Sequence, residues 1–221
     1  MATSGTTSFD LPIDEIIEES YERCGIRSSS GYHIKTARRS LNLVFLDWAN
    51  RGLNLWTIEQ RTLSLSAGDT TKALPTDTVN VISAVIRTGS GQTTQDIELD
   101  RISREEYLYL PDKYTRSKPA QYYVERTNSP LVYLYPTPDT SYTFLYYAVR
   151  RIEDSGDYTN VADVNFRFLP CLTAGLAYYL SLKFAPDRTA VLKALYEEEF
   201  IRAAAEDRDI ASLYFTPDLG L

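Results

Sequence analysis

The sequence predicts an α+β protein: two helical hairpins, one from each end of the chain, form a bundle, and an antiparallel β region is inserted between them. Three observations lead to this prediction. Apolar residues recur at helical spacing in 13–52 and again in 168–209. Between these segments the spacing changes to alternate residues, as in β-strands. With 221 residues, 43% of them hydrophobic and 24% charged, the chain has the composition of a globular protein with a sizeable core.

The N-terminal part predicts two helices. Leu11-Pro12 opens a helix that runs to Cys24, and Gly25 lies just beyond its end. A second helix covers 34–52, with a broad apolar stripe and with Leu43 and Leu46 on its far side. A helix that is apolar on two sides needs cover from two directions, so we predict that it is the central helix of the bundle. The first helix is acidic outside and the second is basic, which favours pairing as a hairpin.

The middle of the chain predicts strands at 53–67, 79–88 and 96–102. A capping box at Ser103 then starts a short helix that Pro111 stops. An antiparallel meander is predicted to follow, with strands at 120–126, 131–135 and 141–151. Both faces of the meander strands are apolar or aromatic. We therefore expect cover on both sides, from a second sheet, a helix or a neighbouring subunit.

The C-terminal part predicts a second helical pair. Residues 168–184 are apolar nearly all round, which is typical of a buried helix. Ala185-Pro186 ends this helix, and Asp187 can cap the next, which runs to about 209. The predicted organisation is a flexible leader at 1–9, a helical bundle made of 10–52 with 160–209, a β region at 53–159 and an extended C-terminal arm at 210–221.

Side chains suited to catalysis are sparse. His33 has no partners for a metal site or a catalytic triad, and Cys24 and Cys171 are expected to be reduced and buried. Asp96, Glu98 and Asp100 share one strand face, which suits either Mg²⁺ or a solvated surface; the second is the simpler interpretation. Phosphate-loop and nucleophile motifs are absent from the sequence. We predict no enzymatic activity, no cofactor and no metal.

The charge and the aromatic content bear on partners. The formal charge is −7 without a basic stripe, so DNA is not expected to be held tightly. The most apolar run, 169–182, is too short to span a membrane. Ten of the 17 tyrosines lie between Tyr107 and Tyr147. Tyrosine is enriched at protein interfaces, so this region is either an aromatic β layer or a binding surface.

The last twelve residues are too apolar for a solvated terminus, yet Pro217 and Gly220 prevent a long helix or strand. Such a segment either folds back on its own core or docks on a neighbour. The apolar anchors are Ile210, Leu213, Tyr214, Phe215, Leu219 and Leu221.

Two stretches carry a family resemblance. Ala37-Arg-Arg-Ser-Leu-Asn42, continuing through Trp48-Ala-Asn-Arg-Gly52 to Glu59, resembles the early helix-to-strand segment of podophage head-to-tail adaptor proteins, also called connector or tail tubular protein A. Phe168-Leu-Pro to Asp187, with Leu195-Tyr-Glu-Glu-Glu-Phe200, is similar to the closing helical hairpin of that family. The order and size of the segments agree, so the resemblance covers most of the chain.

The resemblance implies a structural virion protein of the neck or tail that is assembled in the host cytoplasm. Such adaptors form a dodecameric ring beneath the portal, extend the DNA channel and dock the tail nozzle, and DNA passes without tight binding. The apolar C-terminal anchors are then expected to bind the portal protein. A subunit or nozzle interface is expected at Tyr122, Tyr123, Tyr133, Tyr135, Tyr146 and Tyr147. Two alternatives stay open: another neck or tail-completion protein, and a tyrosine-rich carbohydrate-binding module.

Overall fold

The chain divides into two compact units. The computed structural model describes residues 5, 9, 11–27, 31–52, 55–89 and 91–207. The helical unit contains the described residues of Met1–Leu55 and Glu153–Leu221, and the β unit is Trp56–Ile152. Helices and mainly antiparallel sheets are both present, in agreement with the predicted α+β class.

The described residues form five α-helices. These are α1 (Ile13–Cys24), α2 (Gly31–Arg51), α3 (Arg104–Tyr109), α4 (Leu169–Phe184) and α5 (Thr189–Glu206). The bounds of α1 confirm the predicted start after Leu11-Pro12 and the predicted end before Gly25. Gly25 has a φ of 75°, in the left-handed region that glycine adopts at least cost, and its N–H donates to the carbonyl oxygen of Glu22 at 2.8 Å.

The central helix of the helical unit is α4, because α1, α2 and α5 all pack against it. Its leucines Leu172, Leu176 and Leu180 are fully buried, as the all-round apolar sequence predicts. Fully burying a leucine stabilises the fold by about 1.5–3 kcal/mol. A close approach to α5 is possible at Gly175, where an added Cβ would lie 2.8 Å from Cε2 of Tyr196.

The prediction that α2 is the central helix is wrong. Its main stripe is buried, including Leu41, Val44 and Trp48, but Leu43 and Leu46 are 48% and 61% exposed. The pairing of α1 with α2 as a hairpin is not confirmed either, since α1 makes its extensive contacts with α4. Periodicity locates apolar faces but does not reveal whether another element covers them.

Of the two predicted helix caps, one is confirmed and the other is wrong. The capping box of α3 is confirmed: the backbone N–H of Glu106 donates to Ser103 Oγ at 3.2 Å, and the backbone N–H of Ser103 donates to Glu106 Oε2 at 2.6 Å. The predicted Asp187 cap of α5 is wrong. Asp187 lies inside a 3₁₀ turn, Pro186–Arg188, which leads directly into α5 without a side-chain cap.

The β unit consists of two four-stranded sheets. The first has the order β1 (Ile58–Leu65), β8 (Tyr142–Arg150), β3 (Thr78–Thr88) and β4 (Gln95–Glu98). The second has the order β2 (Thr71–Ala73), β7 (Leu131–Tyr135), β6 (Gln121–Glu125) and β5 (Asp100–Arg101). Their inner faces share one hydrophobic core, in which the rings of Tyr122 and Phe144 are 6.0 Å apart.

Three details of the predicted β region are corrected. The meander is interrupted, because β8 pairs with β1 and β3 in the first sheet while β6 and β7 pair in the second. The predicted strand 96–102 is two strands in different sheets, separated at Leu99, which is buried. The predicted first strand starts late, because Leu55–Thr57 form a 3₁₀ turn before β1. Strand β2 was not predicted, because three residues are too few to show a period.

Candidate functional site

A groove on the helical unit combines aromatic and basic side chains. It has a volume of about 490 Å³, and the described residues that line it are Tyr32, Lys35, Arg38, Arg39 and Asn42, which belong to α2. Lys35 and Arg39 are exposed, as is Tyr32 at 66%. Positions 32, 35, 39 and 42 fall on one side of the helix, because they are separated by three or four residues. We call these five residues the basic groove.

One wall of the basic groove is held in place by the segment that precedes α4. The guanidinium of Arg38 donates to the carbonyl oxygen of Gly156 and lies 5.1 Å from the ring centre of Tyr158. The backbone N–H of Ser155 donates to Oδ1 of Asn42 at 3.0 Å. The groove therefore has a fixed side and a solvent-facing side, which carries Lys35 and Arg39.

Lys183, which lies behind the basic groove, is also cationic. Lys183 of α4 donates from Nζ to Ser40 Oγ at 2.8 Å. Burial lowers the pKa of the Lys183 ammonium, and the positive charge of Arg39 lowers it further. Four basic residues thus lie on or behind this face of α2, although the whole chain is acidic. The sequence indicates that α2 is basic, but not that Lys183 of α4 lies behind the same face.

The exposed face of α1 has the opposite charge. Asp14, Glu15, Glu18, Glu19 and Glu22 are all exposed. Glu19 binds Arg23 of the same helix at 2.8 Å. Within the described residues, Glu15, Glu18 and Glu22 form no ion pair, and neither do Lys35, Arg38 and Arg39. The acidic and basic faces predicted to pair α1 with α2 are therefore not joined by ion pairs in this part of the chain.

A stack of tyrosines lies on the outer face of the second sheet. The ring centres of Tyr123 and Tyr133 are 5.6 Å apart, and Tyr107 of α3 lies 5.8 and 5.1 Å from them. Arg104 Nε donates to Tyr123 Oη at 3.0 Å, and Tyr133 Oη donates to Glu125 Oε2 at 2.9 Å. The hydrogen bond to Glu125 raises the pKa of Tyr133, and burial adds to the effect.

The six tyrosines of the expected interface do not share one surface. Tyr122 and Tyr146 are only 1% and 2% exposed and belong to the core between the sheets, so they are corrected to core residues. Tyr123 and Tyr133 are half-buried in the stack, and Tyr135 is half-buried at the end of β7. Tyr147 is 47% exposed on the outer face of the first sheet. Alternation along the strands explains this division, since neighbouring tyrosines point to opposite faces.

The remaining expectations concern the arm and the titratable side chains. The predicted portal anchors at 210–221 lie outside the described residues. The two cysteines are buried thiols, as expected, and burial raises the pKa of Cys171 to about 12. His33 packs against Phe184 and Tyr21, with ring centres 5.3 and 5.4 Å away.

Side chains that could form a reactive or metal centre are spread apart. Among the described residues, no group of three or more His, Cys, Asp or Glu side chains is arranged to hold a metal ion. Asp96, one of the carboxylates considered for Mg²⁺, binds Arg87 at 2.7 Å instead. In the part of the chain that the structure describes, no helix is both long and apolar enough to cross a membrane.

A network of ion pairs and hydrogen bonds, which sequence reasoning missed, joins α2 to α5. Arg51 binds Glu197 through two hydrogen bonds of 2.6 and 2.8 Å and also binds Asp47. Its guanidinium lies 4.8 Å from the ring centre of Tyr196. The spacing of Asp47 and Arg51 was enough to predict an ion pair within α2. Their partners on α5 could not be predicted, because they are about 150 positions away in the chain.

The basic groove and the tyrosine stack are surfaces of the kind found in the class of proteins that act by contacting other proteins. The family comparison agrees with this class, because the model for the SU10 adaptor protein matches residues 29–218, most of both units. The chain belongs to the SU10 adaptor protein family, a family of phage head-to-tail adaptors. Membership implies a structural protein of the virion that oligomerises and associates with other head or tail components. No curated protein matches the chain.

Proposed function

We propose that this chain is a head-to-tail adaptor that forms a ring, a dodecamer by resemblance, beneath the portal of a short-tailed phage. In this role it extends the DNA channel and docks the tail nozzle. The observation that carries the proposal is the family match across residues 29–218, which includes the β unit, most of the helical unit and most of the C-terminal segment.

The arrangement of surfaces supports a protein that works through contacts. The helical unit exposes apolar side chains that its own helices do not cover, among them Leu46, Leu182, Val191 and Ile201 at 54–72% exposure. The β unit exposes Tyr147 and the edge of the tyrosine stack. Both units thus expose apolar or aromatic side chains that a partner protein could cover.

Each partner is assigned a different part of the chain. The portal is proposed to bind the anchors of 210–221, and the nozzle or a neighbouring subunit is proposed to bind the tyrosines that remain at the surface, Tyr123, Tyr133, Tyr135 and Tyr147. Part of the acidic surface of α1 or of the C-terminal end of α5 is proposed to face the channel, where like charge keeps DNA off the wall.

The test is analytical ultracentrifugation of the purified chain with and without portal particles. We expect a monomer or weak oligomer alone and a ring on the portal, because the net charge of −7 opposes association of free subunits. A chain that stays monomeric in both samples would refute the proposal.

Binding to duplex DNA provides an independent check. At about 0.15 M salt we expect no measurable affinity, because the net charge of −7 and the five exposed carboxylates of α1 repel the phosphate backbone. A measurable affinity that falls steeply with salt would contradict the proposed channel lining.

A further inference from the structure

The helical unit carries an acidic row on α1 and a row with two cations on α2, and within the described residues no ion pair joins them. The carboxylates of Glu15, Glu18 and Glu22 follow one side of α1 at spacings of three and four residues. The basic groove presents Lys35, Arg39 and Asn42 at spacings of four and three. Each row extends over seven residue steps, or about 10.5 Å along its helix, and the neutral Asn42 ends the basic row.

We infer that the basic groove of one subunit binds the acidic face of α1 from a second copy of this chain. The inference rests on the proposed function, because it names the surfaces through which subunits of the ring meet. With this row of α1 in the subunit contact, the acidic wall of the channel is assigned to the C-terminal end of α5. Glu18 is at the middle of the acidic row and Arg39 is near the middle of the basic row, so the rows match when the two helices lie side by side.

The burial pattern explains why the contact forms between chains. Ile13, Ile16, Ile17 and Tyr21 anchor the opposite face of α1 against its own helical unit, and all are at most 3% exposed. The glutamates are therefore held outward. Lys35 and Arg39 are exposed as well, and no ion pair joins the two rows within the described residues. Among the described residues, neither surface is occupied by a partner of opposite sign.

A second copy fits the basic groove better than a nucleic acid. Five carboxylates lie on the exposed face of α1 in the same unit, and they repel a polyanion that approaches the three basic side chains. An acidic helix of matching length supplies the negative charge without a long charged backbone. The Tyr32 ring, 66% exposed at one end of the groove, adds apolar contact area.

The two surfaces are different patches of one chain, so the contact is head-to-tail. A head-to-tail contact leaves one free acidic face and one free basic groove at the ends of every open oligomer, and only a closed ring uses all of them. The groove continues along α2 into the exposed Leu43 and Leu46, which extends the contact with apolar area.

The experiment uses two charge-reversal variants of the full chain. One is Lys35→Glu with Arg39→Glu, and the other is Glu18→Lys with Glu22→Lys. Sedimentation velocity at low ionic strength and high protein concentration measures self-association. We expect each variant alone to associate at least about tenfold more weakly than the unaltered chain, because like charges then face each other.

A mixture of the two variants tests directly whether opposite charges across the contact restore association. In an equimolar mixture every contact again joins an acidic row to a basic row, so association is expected to return. The matched control for Lys35→Glu with Arg39→Glu is Arg126→Glu with Lys193→Glu, which makes the same change of charge at exposed positions that belong to neither row. The control is expected to associate like the unaltered chain.

Several results would overturn the inference. They are an unaltered chain that stays monomeric at low ionic strength, variants that associate normally, a mixture that does not recover, or a control that fails like the variants. Duplex DNA binding that is lost in Lys35→Glu with Arg39→Glu would assign the groove to nucleic acid instead. Portal is absent from these samples, so failure of portal binding and failure of this contact are separate outcomes.

Discussion

Tyr196 of α5 donates a hydrogen bond from its hydroxyl to Oδ2 of Asp47 on α2, over 2.7 Å, and accepts one from Nε1 of Trp48 over 2.9 Å. Tyr196 and Trp48 are both fully buried. The Tyr196 hydroxyl therefore connects the N-terminal and C-terminal parts of the helical unit at one buried point. Burial and the hydrogen bond to Asp47 raise the pKa of Tyr196, so the hydroxyl keeps its proton and remains a donor.

Tyr196→Phe is expected to destabilise the protein by about 1–3 kcal/mol, because it leaves the buried Trp48 N–H without its acceptor. Urea unfolding followed by tryptophan fluorescence measures the change. Tyr178→Phe is the control: Tyr178 stacks on Tyr196, with ring centres 6.1 Å apart, and is only half-buried. Equal stability of the two variants would show that the hydroxyl network contributes nothing.

Gly175→Ala is expected to destabilise the protein by about 1–3 kcal/mol through overpacking. The new Cβ would lie 2.8 Å from Cε2 of Tyr196 and 3.3 Å from Cγ1 of Val44. This steric cost opposes the gain in helix propensity, which is about 1 kcal/mol. Thermal unfolding followed by circular dichroism is the measurement.

Gly31→Ala is the matched control for Gly175→Ala. Gly31 also lies in a helix, but no atom lies within 4 Å of an added Cβ. The stability of this variant is expected to equal or exceed that of the unaltered chain. If Gly175→Ala were as stable as Gly31→Ala, the close approach of α4 and α5 would not require glycine.

Stability is expected to fall as pH rises from about 9 to 12. Burial raises the pKa of Cys171 from 9.0 to about 12 and that of Tyr21 from 10.0 to about 12. Above pH 9 the unfolded chain releases these protons while the folded chain keeps them, so the unfolded state binds fewer protons and gains stability relative to the folded state. Each group lowers the free energy of unfolding by up to about 1.4 kcal/mol per pH unit in this range.

The measurement is urea unfolding at a series of alkaline pH values. Cys171→Ala is expected to reduce the slope of unfolding free energy against pH, whereas Tyr114→Phe, at a residue that is 79% exposed, is expected to leave it unchanged. Parallel slopes for Cys171→Ala and the unaltered chain would refute the assignment to the Cys171 thiol.

Deletion of 210–221 is expected to leave the melting temperature nearly unchanged but to abolish portal binding. The physical reason is that several apolar anchors, each worth about 1.5–3 kcal/mol when buried, can offset the entropy lost when the segment docks on a partner. Co-sedimentation with portal particles and thermal unfolding are the two measurements. A truncated chain that unfolds would assign the segment to its own core, and one that still binds would remove it from the portal interface.

Local features of the fold were predictable from the sequence because they depend on neighbours in the chain. The apolar spacing and Gly25 located α1, and the reciprocal hydrogen bonds of Ser103 and Glu106 followed from a four-residue pattern. The all-round apolar character of 169–184 likewise indicated that α4 is buried. Such interactions span only a few residues, so composition and spacing are sufficient to indicate them.

The tertiary structure decided which elements cover which faces. Hydropathy alone does not separate Leu43 from Val44, yet Val44 is fully buried while Leu43 is 48% exposed. In the same way, neighbouring Tyr122 and Tyr123 separate into the core and the surface stack, and β8 leaves the meander for the first sheet. These outcomes depend on residues far away in the chain. Only the tertiary structure shows which faces are covered by α4, the second sheet and Tyr196, and which faces stay exposed.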